Sequence, residues 1–217
     1  MSTDCKSRAT FLVFALRPCS VLGEAIRQAK IKTQAIAGDQ TYVSHPPHLT
    51  LYVSAFEDPV ATEFACRELI ANWQIPDLDI TGWHSFQGDV LTGNTTLVCN
   101  IAESSRAQLR SYQNEIIQNL SVMRNRELSS QRYFGNFQTL SPNRQKAVEE
   151  FGFPFVSNDW IPHLTIASIH ADRWEYVWDA LGDHPPKGQF HCDNLIIFEL
   201  KEDEPHLWRE MPLLGRS

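Results

Sequence analysis

The tetrapeptide Pro-His-Leu-Thr occurs twice in the chain, once as Pro47-His48-Leu49-Thr50 and once as Pro162-His163-Leu164-Thr165. Each copy follows an irregular, proline-containing approach and begins a short apolar stretch that favours a β-strand. An amphipathic helical pattern follows each of these stretches. Because the surroundings repeat together with the motif, the sequence predicts two related structural units that share one strand design.

The segments around the two motifs predict an alternation of strands and helices. A strand over residues 10–17 comes first, and a helix that Ser20 can cap follows it. After a motif strand over residues 48–56, Asp58-Pro59 supplies an N-cap and a proline at the first helical position. The remaining predicted elements are strands at residues 77–86 and 94–101, a helix opened by the capping-box pattern Ser105-x-x-Gln108, a strand at 163–169, a helix at 173–182 and a strand at 190–200.

These elements predict a single α+β domain with two related halves, at about residues 1–102 and 103–217. Regular periodicity is lost over residues 124–159, which predicts an inserted loop or lid. The first part of this segment is basic, although the whole chain is acidic; its cationic residues are Arg124, Arg126, Arg132, Arg144 and Lys146. Our hypothesis is that the segment steers phosphate toward the active site. Neutralising three of the arginines should then raise KM at low salt.

Composition and charge narrow the classes of function. Of the 217 residues, 42% are hydrophobic and 21% are charged, which is typical of a folded globular protein. The net charge of −7 argues against binding to long nucleic acids, whereas a small anionic substrate is compatible with it. The sequence shows no apolar run long enough for a membrane span, no signal-peptide pattern and no C-x-x-C pair among its five cysteines. We therefore expect a cytoplasmic protein that is a monomer.

Strand geometry brings the polar residues of each motif to one face. Side chains two residues apart project from the same side of a strand, so His48 lies beside Thr50, and His163 beside Thr165. If the two halves pack about a pseudo-twofold axis, both pairs line one cleft. Imidazole titrates near neutral pH, so one histidine can act as a base while the other acts as an acid. The threonine hydroxyls can donate to a non-bridging phosphate oxygen. This arrangement suits the cleavage of a phosphodiester without a metal ion.

The paired His-x-Thr motifs, on matching strands of two halves, resemble those of the two-histidine (2H) phosphoesterase superfamily, and in particular its 2′-5′ RNA ligase and cyclic phosphodiesterase branch. The resemblance spans most of the chain, from the opening strand and helix through both motifs. It implies a two-lobed fold, with sheets lining a central cleft and helices outside.

The resemblance also implies an activity. The expected reaction is metal-independent cleavage of 2′,3′-cyclic phosphates or 2′-5′ bonds in nucleotides or short RNA, and its reversal would be 2′-5′ RNA ligation. Catalytic roles are implied for His48 and His163, with His163 favoured as the base and His48 as the acid. Thr50 and Thr165 would bind the substrate, and no cofactor is needed because a cyclic phosphate already carries strain.

A nucleotide- or RNA-binding module with little or no turnover is an alternative function, and an RNA-processing exonuclease is a third hypothesis, within the enzyme class. Two titratable groups favour an enzyme, because binding alone does not require them. A bell-shaped dependence of rate on pH would separate the two hypotheses. His45 and His48 form an H-x-x-H spacing, but two prolines lie between them, so we expect no helical metal pair and no metal site.

Several aromatic residues near the motifs have two interpretations. Tyr52 shares the predicted face of the first motif, and Trp160 precedes the second, so either could stack on a base. For such residues a place in the core or at its rim is nevertheless more common. The alternating phenylalanines of residues 151–155 predict a strand, and the tryptophans of residues 174–178 predict a buried helical stripe.

Overall fold

The computed structural model describes residues 9–214, which form an α+β fold, as the sequence predicted, and the strands make two four-stranded antiparallel sheets. The strands are β1 (Thr10–Pro18), β2 (Leu49–Phe56), β3 (Leu78–Phe86), β4 (Thr95–Ile101), β5 (His163–Ile169), β6 (Gly188–Phe190), β7 (Cys192–Lys201) and β8 (Glu204–Pro212). The helices are α1 (Ser20–Ala37), α2 (Pro59–Ile70), α3 (Glu103–Leu120), α4 (Arg126–Gln131), α5 (Pro142–Phe151) and α6 (Ala171–Leu181). Strands β6 and β8 were not predicted from the sequence.

Both sheets combine strands from distant parts of the chain. The first sheet has the order β2-β1-β7-β8, and the second has the order β5-β4-β3-β6. Each sheet therefore contains two strands from residues 1–102 and two from residues 103–217. The two motif strands, β2 and β5, are edge strands of different sheets and contact each other. This arrangement brings the two motifs together at the centre of the fold.

The N-terminal residues of α1, α2 and α3 show which of the predicted helix caps are present in the structure. Asp58 caps α2, since its side chain accepts a hydrogen bond from the Ala61 amide, and Pro59 follows as predicted. Helix α1 begins at Ser20, but Cys19 occupies the N-cap position and no side chain caps it. The capping box at Ser105 is wrong, because α3 begins two residues earlier. The buried Ser105 hydroxyl instead accepts from the Asp79 amide and fastens α3 to β3.

The segment 124–159 is more ordered than predicted. Besides 3₁₀ turns at 134–139 and 157–159, it contains α4 and α5. Asn125 and Ser141 cap these two helices with their side chains. The predicted strand over residues 151–155 is wrong, since α5 includes Phe151 and the chain beyond it is irregular. Short helices specified mainly by their caps give little periodic signal in the sequence.

A continuous hydrophobic cluster fills the space between the sheets and the helices. It includes Leu16 and Ile197 from the first sheet, and Leu97 and Leu164 from the second, all fully buried. The predicted tryptophan stripe on α6 is only partly correct, because Trp178 stacks on Trp174 and remains 38% exposed. Within residues 9–214, none of the helices has the length and apolar character needed for a membrane span.

Candidate active site

A β-bulge interrupts each motif strand directly after its threonine. In β2, Thr50 is opposite Ala15 and Tyr52 is opposite Phe14, so Leu51 is an extra residue. In β5, Thr165 and Ala167 are opposite neighbouring residues of β4, so Ile166 is the extra residue. A bulge bends its strand and shifts the alternation of side chains that follow it. The same irregularity at the same position supports the interpretation of the two motif strands as counterparts.

The four motif side chains line one cleft of about 1130 Å³. His48, Thr50, His163 and Thr165 are each half-buried, so they are accessible from this cleft. The described structure therefore brings together the four residues that the sequence predicted. The cleft lies where the two motif strands meet.

The two histidines are held in the same way. His48 Nδ1 lies 2.7 Å from the Pro46 carbonyl oxygen, and His163 Nδ1 lies 2.6 Å from the Ile161 carbonyl oxygen. A carbonyl oxygen can only accept, so Nδ1 of each ring must carry the hydrogen and donate it. In the neutral ring, Nε2 then has a free lone pair and can accept a proton. The acceptor is the carbonyl two residues earlier in both cases, so both rings have one tautomer.

Both imidazoles are harder to protonate than a free histidine. Burial is the main cause, and it lowers the pKa of His48 to about 4 and also lowers the pKa of His163. Nearby charges act differently on the two rings. Lys30 further lowers the pKa of His48, whereas the Asp89 carboxylate partly offsets the effect of burial on the pKa of His163. His163 also lowers the pKa of His48, by less than His45 or Lys30 does.

Aromatic rings support both histidines. His48 meets Phe198 edge-on with the ring centroids 5.3 Å apart, and His163 meets Phe86 in the same manner at 5.1 Å. These contacts restrict the orientation of the imidazoles. The corresponding signal was not apparent in the sequence, because Phe86 and Phe198 belong to strands far from the motifs in the chain.

The two aromatic residues proposed for base stacking are both buried, and each donates a hydrogen bond to a backbone carbonyl. The bulge turns Tyr52 into the core, where it is fully buried and its hydroxyl donates to the Phe151 carbonyl. Trp160 lines the cleft but is 4% exposed, and its Nε1 donates to the Thr50 carbonyl at 3.2 Å. Tyr52 therefore has no free face for a base. Through this hydrogen bond, Trp160 connects the segment before the second motif to the first motif strand.

Several polar residues of the cleft were missed or given no function from the sequence. His45 and His170 line it, although neither was predicted as a site residue from the sequence. Burial lowers the pKa of His45 to about 4. The Asp89 carboxylate accepts from the Leu91 amide and from the Thr96 hydroxyl, and so it organises the loop between β3 and β4 that forms one wall. The buried Lys30 also borders the cleft.

Two of the five basic residues of the inserted segment line the cleft, namely Arg132 and Arg144. Each has a carboxylate partner: Arg132 Nη1 lies 2.7 Å from Asp203, and Arg144 Nε lies 3.4 Å from Asp159. Arg124, by contrast, is buried, and it donates to backbone carbonyls away from the cleft. The local positive charge is therefore smaller at the cleft than the sequence suggested.

In the part of the chain that the structure describes, no group of three or more histidine, cysteine, aspartate or glutamate side chains is arranged to hold a metal ion. The polar groups of the cleft are instead imidazoles and hydroxyls, which can transfer protons and donate hydrogen bonds to an anion.

Comparison with known proteins agrees with this geometry. Residues 18–204 match the sequence profile of the 2′-5′ RNA ligase superfamily. That match covers most of the chain, so the protein belongs to the 2′-5′ RNA ligase superfamily of 2H phosphoesterases, which confirms the resemblance inferred from the motifs. None of the curated proteins matches the sequence.

Solved structures show the same fold at low sequence identity. The apo form of E. coli LigT is 14% identical, with a TM-score of 0.53, and the match covers 96% of this chain and all of LigT. The protein TT0787 of Thermus thermophilus is 16% identical, with a TM-score of 0.54 over 95% of this chain and all of TT0787. Usb1 of Kluyveromyces marxianus is 12% identical, with a TM-score of 0.50 over 96% of this chain and 99% of Usb1.

Proposed function

We propose that this protein is a metal-independent phosphodiesterase that cleaves 2′,3′-cyclic phosphates or 2′-5′ phosphodiester bonds of nucleotides or short RNA. One observation carries the proposal. Two His-x-Thr motifs on neighbouring edge strands line a single cleft, and both imidazoles donate through Nδ1 to a carbonyl two residues earlier. Two acid–base groups in one tautomer, beside two hydroxyl donors, suit in-line displacement at phosphorus.

In the proposed mechanism the two histidines divide the proton transfers. One Nε2 removes a proton from water, or from the ribose 3′-hydroxyl where a 2′-5′ bond is cut, and the new O–P bond forms. The other imidazole, in its protonated form, gives its Nε2 proton to the departing ribose oxygen as that P–O bond breaks. Thr50 and Thr165 donate to the non-bridging oxygens and stabilise the charge that builds on them. The reverse sequence of steps is 2′-5′ ligation.

We assign these roles to the pair of rings rather than to individual residues. The resemblance implies His163 as base and His48 as acid. The surrounding charges favour the reverse, because Asp89 makes protonation of His163 easier and Lys30 makes protonation of His48 harder. An anionic phosphate between the rings raises both pKa values, and this allows one ring to hold the proton that the acid needs.

The size of the cleft supports nucleotides and short oligonucleotides as substrates. Its volume of about 1130 Å³ exceeds the range of roughly 300–1,000 Å³ that is typical of pockets for small ligands. E. coli LigT forms complexes with 3′-AMP and with NADP+. We propose that this protein likewise binds nucleotides. In keeping with the net charge of −7, we propose that it does not bind long double-stranded nucleic acid.

The decisive experiment is turnover in the presence of EDTA on the four nucleoside 2′,3′-cyclic monophosphates and on 2′-5′-linked diadenylate. We expect the wild type to cleave at least one of them, and His48→Ala and His163→Ala each to lower kcat by about 10²–10⁴-fold, the usual contribution of a general acid or base. His170→Ala is the matched control, because His170 lines the same cleft outside the motifs.

The outcomes separate an enzyme from a binding module. Cleavage that survives EDTA and is lost in both motif variants, but not in the control, supports the proposal. Binding of 3′-AMP by the wild type without cleavage of any compound in the panel would instead favour the binding module. Equal losses in all three variants would show that the motif histidines have no special role.

A further inference from the structure

The bulges create a structural requirement in each motif strand. Leu51 and Ile166, the extra residues, have no partner in the register with the adjacent strand. A buried backbone carbonyl at such a position needs another donor. The Leu51 carbonyl accepts from Gln113 Nε2 at 3.1 Å, and the Ile166 carbonyl accepts from Lys30 Nζ at 2.7 Å. Each motif strand is thus held by a long polar side chain, one residue beyond its threonine.

These hydrogen bonds cross between the two halves of the fold. Lys30 belongs to α1, which leads to the first motif, yet it holds the strand of the second motif. Gln113 belongs to α3, which precedes the second motif, yet it holds the strand of the first. Each side chain also donates to the segment that precedes the motif of its own half. Lys30 Nζ donates to the Tyr42 carbonyl at 2.7 Å, before the first motif, and Gln113 Nε2 donates to the Phe155 carbonyl at 2.8 Å, before the second.

Lys30 and Gln113 occupy equivalent places in the structure. Helices α1 and α3 each have 18 residues, and Lys30 and Gln113 are both residue 11 of their helix. Helix α1 packs against β5, and α3 packs against β2. Both side chains are almost fully buried, at 5% and 0% exposure. Burying a polar side chain costs free energy that hydrogen bonds offset, and here Lys30 Nζ and Gln113 Nε2 each donate to the same two kinds of carbonyl, although Gln113 Oε1 has no partner among the described residues.

We propose that Lys30 and Gln113 are a matched pair of positioning residues that lock the two His-x-Thr strands to each other across the halves. They set the spacing of the two imidazoles through these carbonyls; Lys30 borders the cleft, whereas Gln113 does not line it. The catalytic consequence rests on the proposed function, whereas the structural one does not. Because a misplacement of about 1 Å can cost roughly 10²-fold in rate, the loss of either crossing bond should act on kcat.

Lys30→Met and Gln113→Met test this, since methionine keeps an unbranched chain and removes the donors. Lys32→Met is the control for α1, because Lys32 Nζ also donates to a carbonyl, that of Ala180 in α6, rather than to a motif strand. Gln118→Met is the control for α3, because Gln118 lies on its exposed face. Hydrogen–deuterium exchange should show a crossed pattern: Lys30→Met raises exchange in β5 more than in β2, and Gln113→Met does the reverse.

The kinetic measurement is of kcat and KM separately, with a 2′,3′-cyclic nucleotide as substrate. We expect both variants to lower kcat by about 10–100-fold while KM changes by less than about threefold, and the controls to keep both values within about twofold. Lys30→Gln restores an N–H donor without the charge, and it should recover part of kcat. It also replaces Lys30→Met if that variant does not fold.

Two results would overturn the proposal: exchange that rises only in the strand of the mutated helix's own half, or a kcat that stays within twofold of the wild type in both methionine variants. If the wild type cleaves no compound of the panel, the proposed function fails. The crossed exchange pattern still decides the positioning role in that case.

Discussion

At the scale of single residues, the pKa values of His48 and His163 lead to a prediction about pH. Burial lowers both values from the ordinary 6.5, that of His48 to about 4. The proposed mechanism requires one ring to be neutral and the other protonated, and this combination is most populated midway between the two pKa values. The pH profile of kcat/KM, which reports the free enzyme, should therefore be a bell centred below pH 6.5.

The profile should be measured between pH 4 and 9 on a 2′,3′-cyclic nucleotide, whose phosphodiester does not titrate in this range. Replacing His45 by glutamine is a useful control, because protonated His45 further lowers the pKa of His48. His45→Gln should keep the bell and shift only its acid limb slightly toward higher pH, because His45, whose own pKa is about 4, holds a proton only at the acid end of this range. A wild-type optimum above pH 7 would contradict the assignment of two pKa values lowered by burial.

The motif residues of the site could be predicted from the sequence, but their neighbours could not. Alternation along a strand placed His48 beside Thr50 correctly, because no irregularity lies between them. It failed for Tyr52, since the bulge at Leu51 reverses the alternation and turns Tyr52 into the core. A bulge depends on pairing with another strand, and such pairing leaves no mark on a single segment.

At the scale of secondary-structure elements, polar residues on apolar helix faces are a sequence signal for the positioning contacts. Lys30 lies four residues after Ile26 on the buried face of α1, and Gln113 lies four residues after Leu109 on that of α3. A polar side chain in such a stripe indicates a specific buried partner. The partners themselves, carbonyls in strands of the opposite half, could not be identified before the fold was known.

The inserted segment gives a prediction for the hairpin between β7 and β8. Asp203, at the tip of this hairpin, accepts from Arg132 of the inserted segment. A substrate phosphate that binds Arg132 must compete with this carboxylate. Asp203→Asn should therefore lower KM at low salt by about two- to fivefold, in keeping with the small free energy of an exposed ion pair, and leave kcat unchanged. The effect should shrink as salt is raised.

Backbone conformation makes Asp203→Asn a clean substitution. Asp203 has a φ of 67°, and asparagine adopts this left-handed region as readily as aspartate. Glu202→Gln is the matched control: it removes the same charge one residue away, at a similar φ of 53°. Equal decreases of KM in the two variants would show that the loss of one negative charge lowers KM, rather than the loss of the carboxylate partner of Arg132. An unchanged KM in Asp203→Asn would exclude Arg132 from substrate binding.

At the scale of the whole molecule, the exchange of strands between the sheets could not be predicted from the sequence. The repeated motifs correctly suggested two counterparts that face each other. In the structure β3 and β4 leave the sheet of β1 and β2, while β7 returns to it and pairs with β1. Local sequence patterns predict which face of a strand is buried. They do not predict which strand it pairs with when that strand is distant in the chain.

This exchange predicts that the two sheets unfold together. Each sheet needs strands from both halves of the chain, and one hydrophobic cluster joins the sheets. Ile197→Ala in the first sheet and Leu97→Ala in the second, both at fully buried positions, should each lower the free energy of unfolding by about 2–5 kcal/mol. In urea, each should shift the same single transition, seen alike by far-UV circular dichroism and by tryptophan fluorescence.

Val122→Ala, at a position 77% exposed outside both sheets, should leave the midpoint nearly unchanged. If Leu97→Ala instead split the transition in two, the sheets would be separate cooperative units, and the spacing of the histidines would depend on the local contacts of the two motif strands, including those with Lys30 and Gln113.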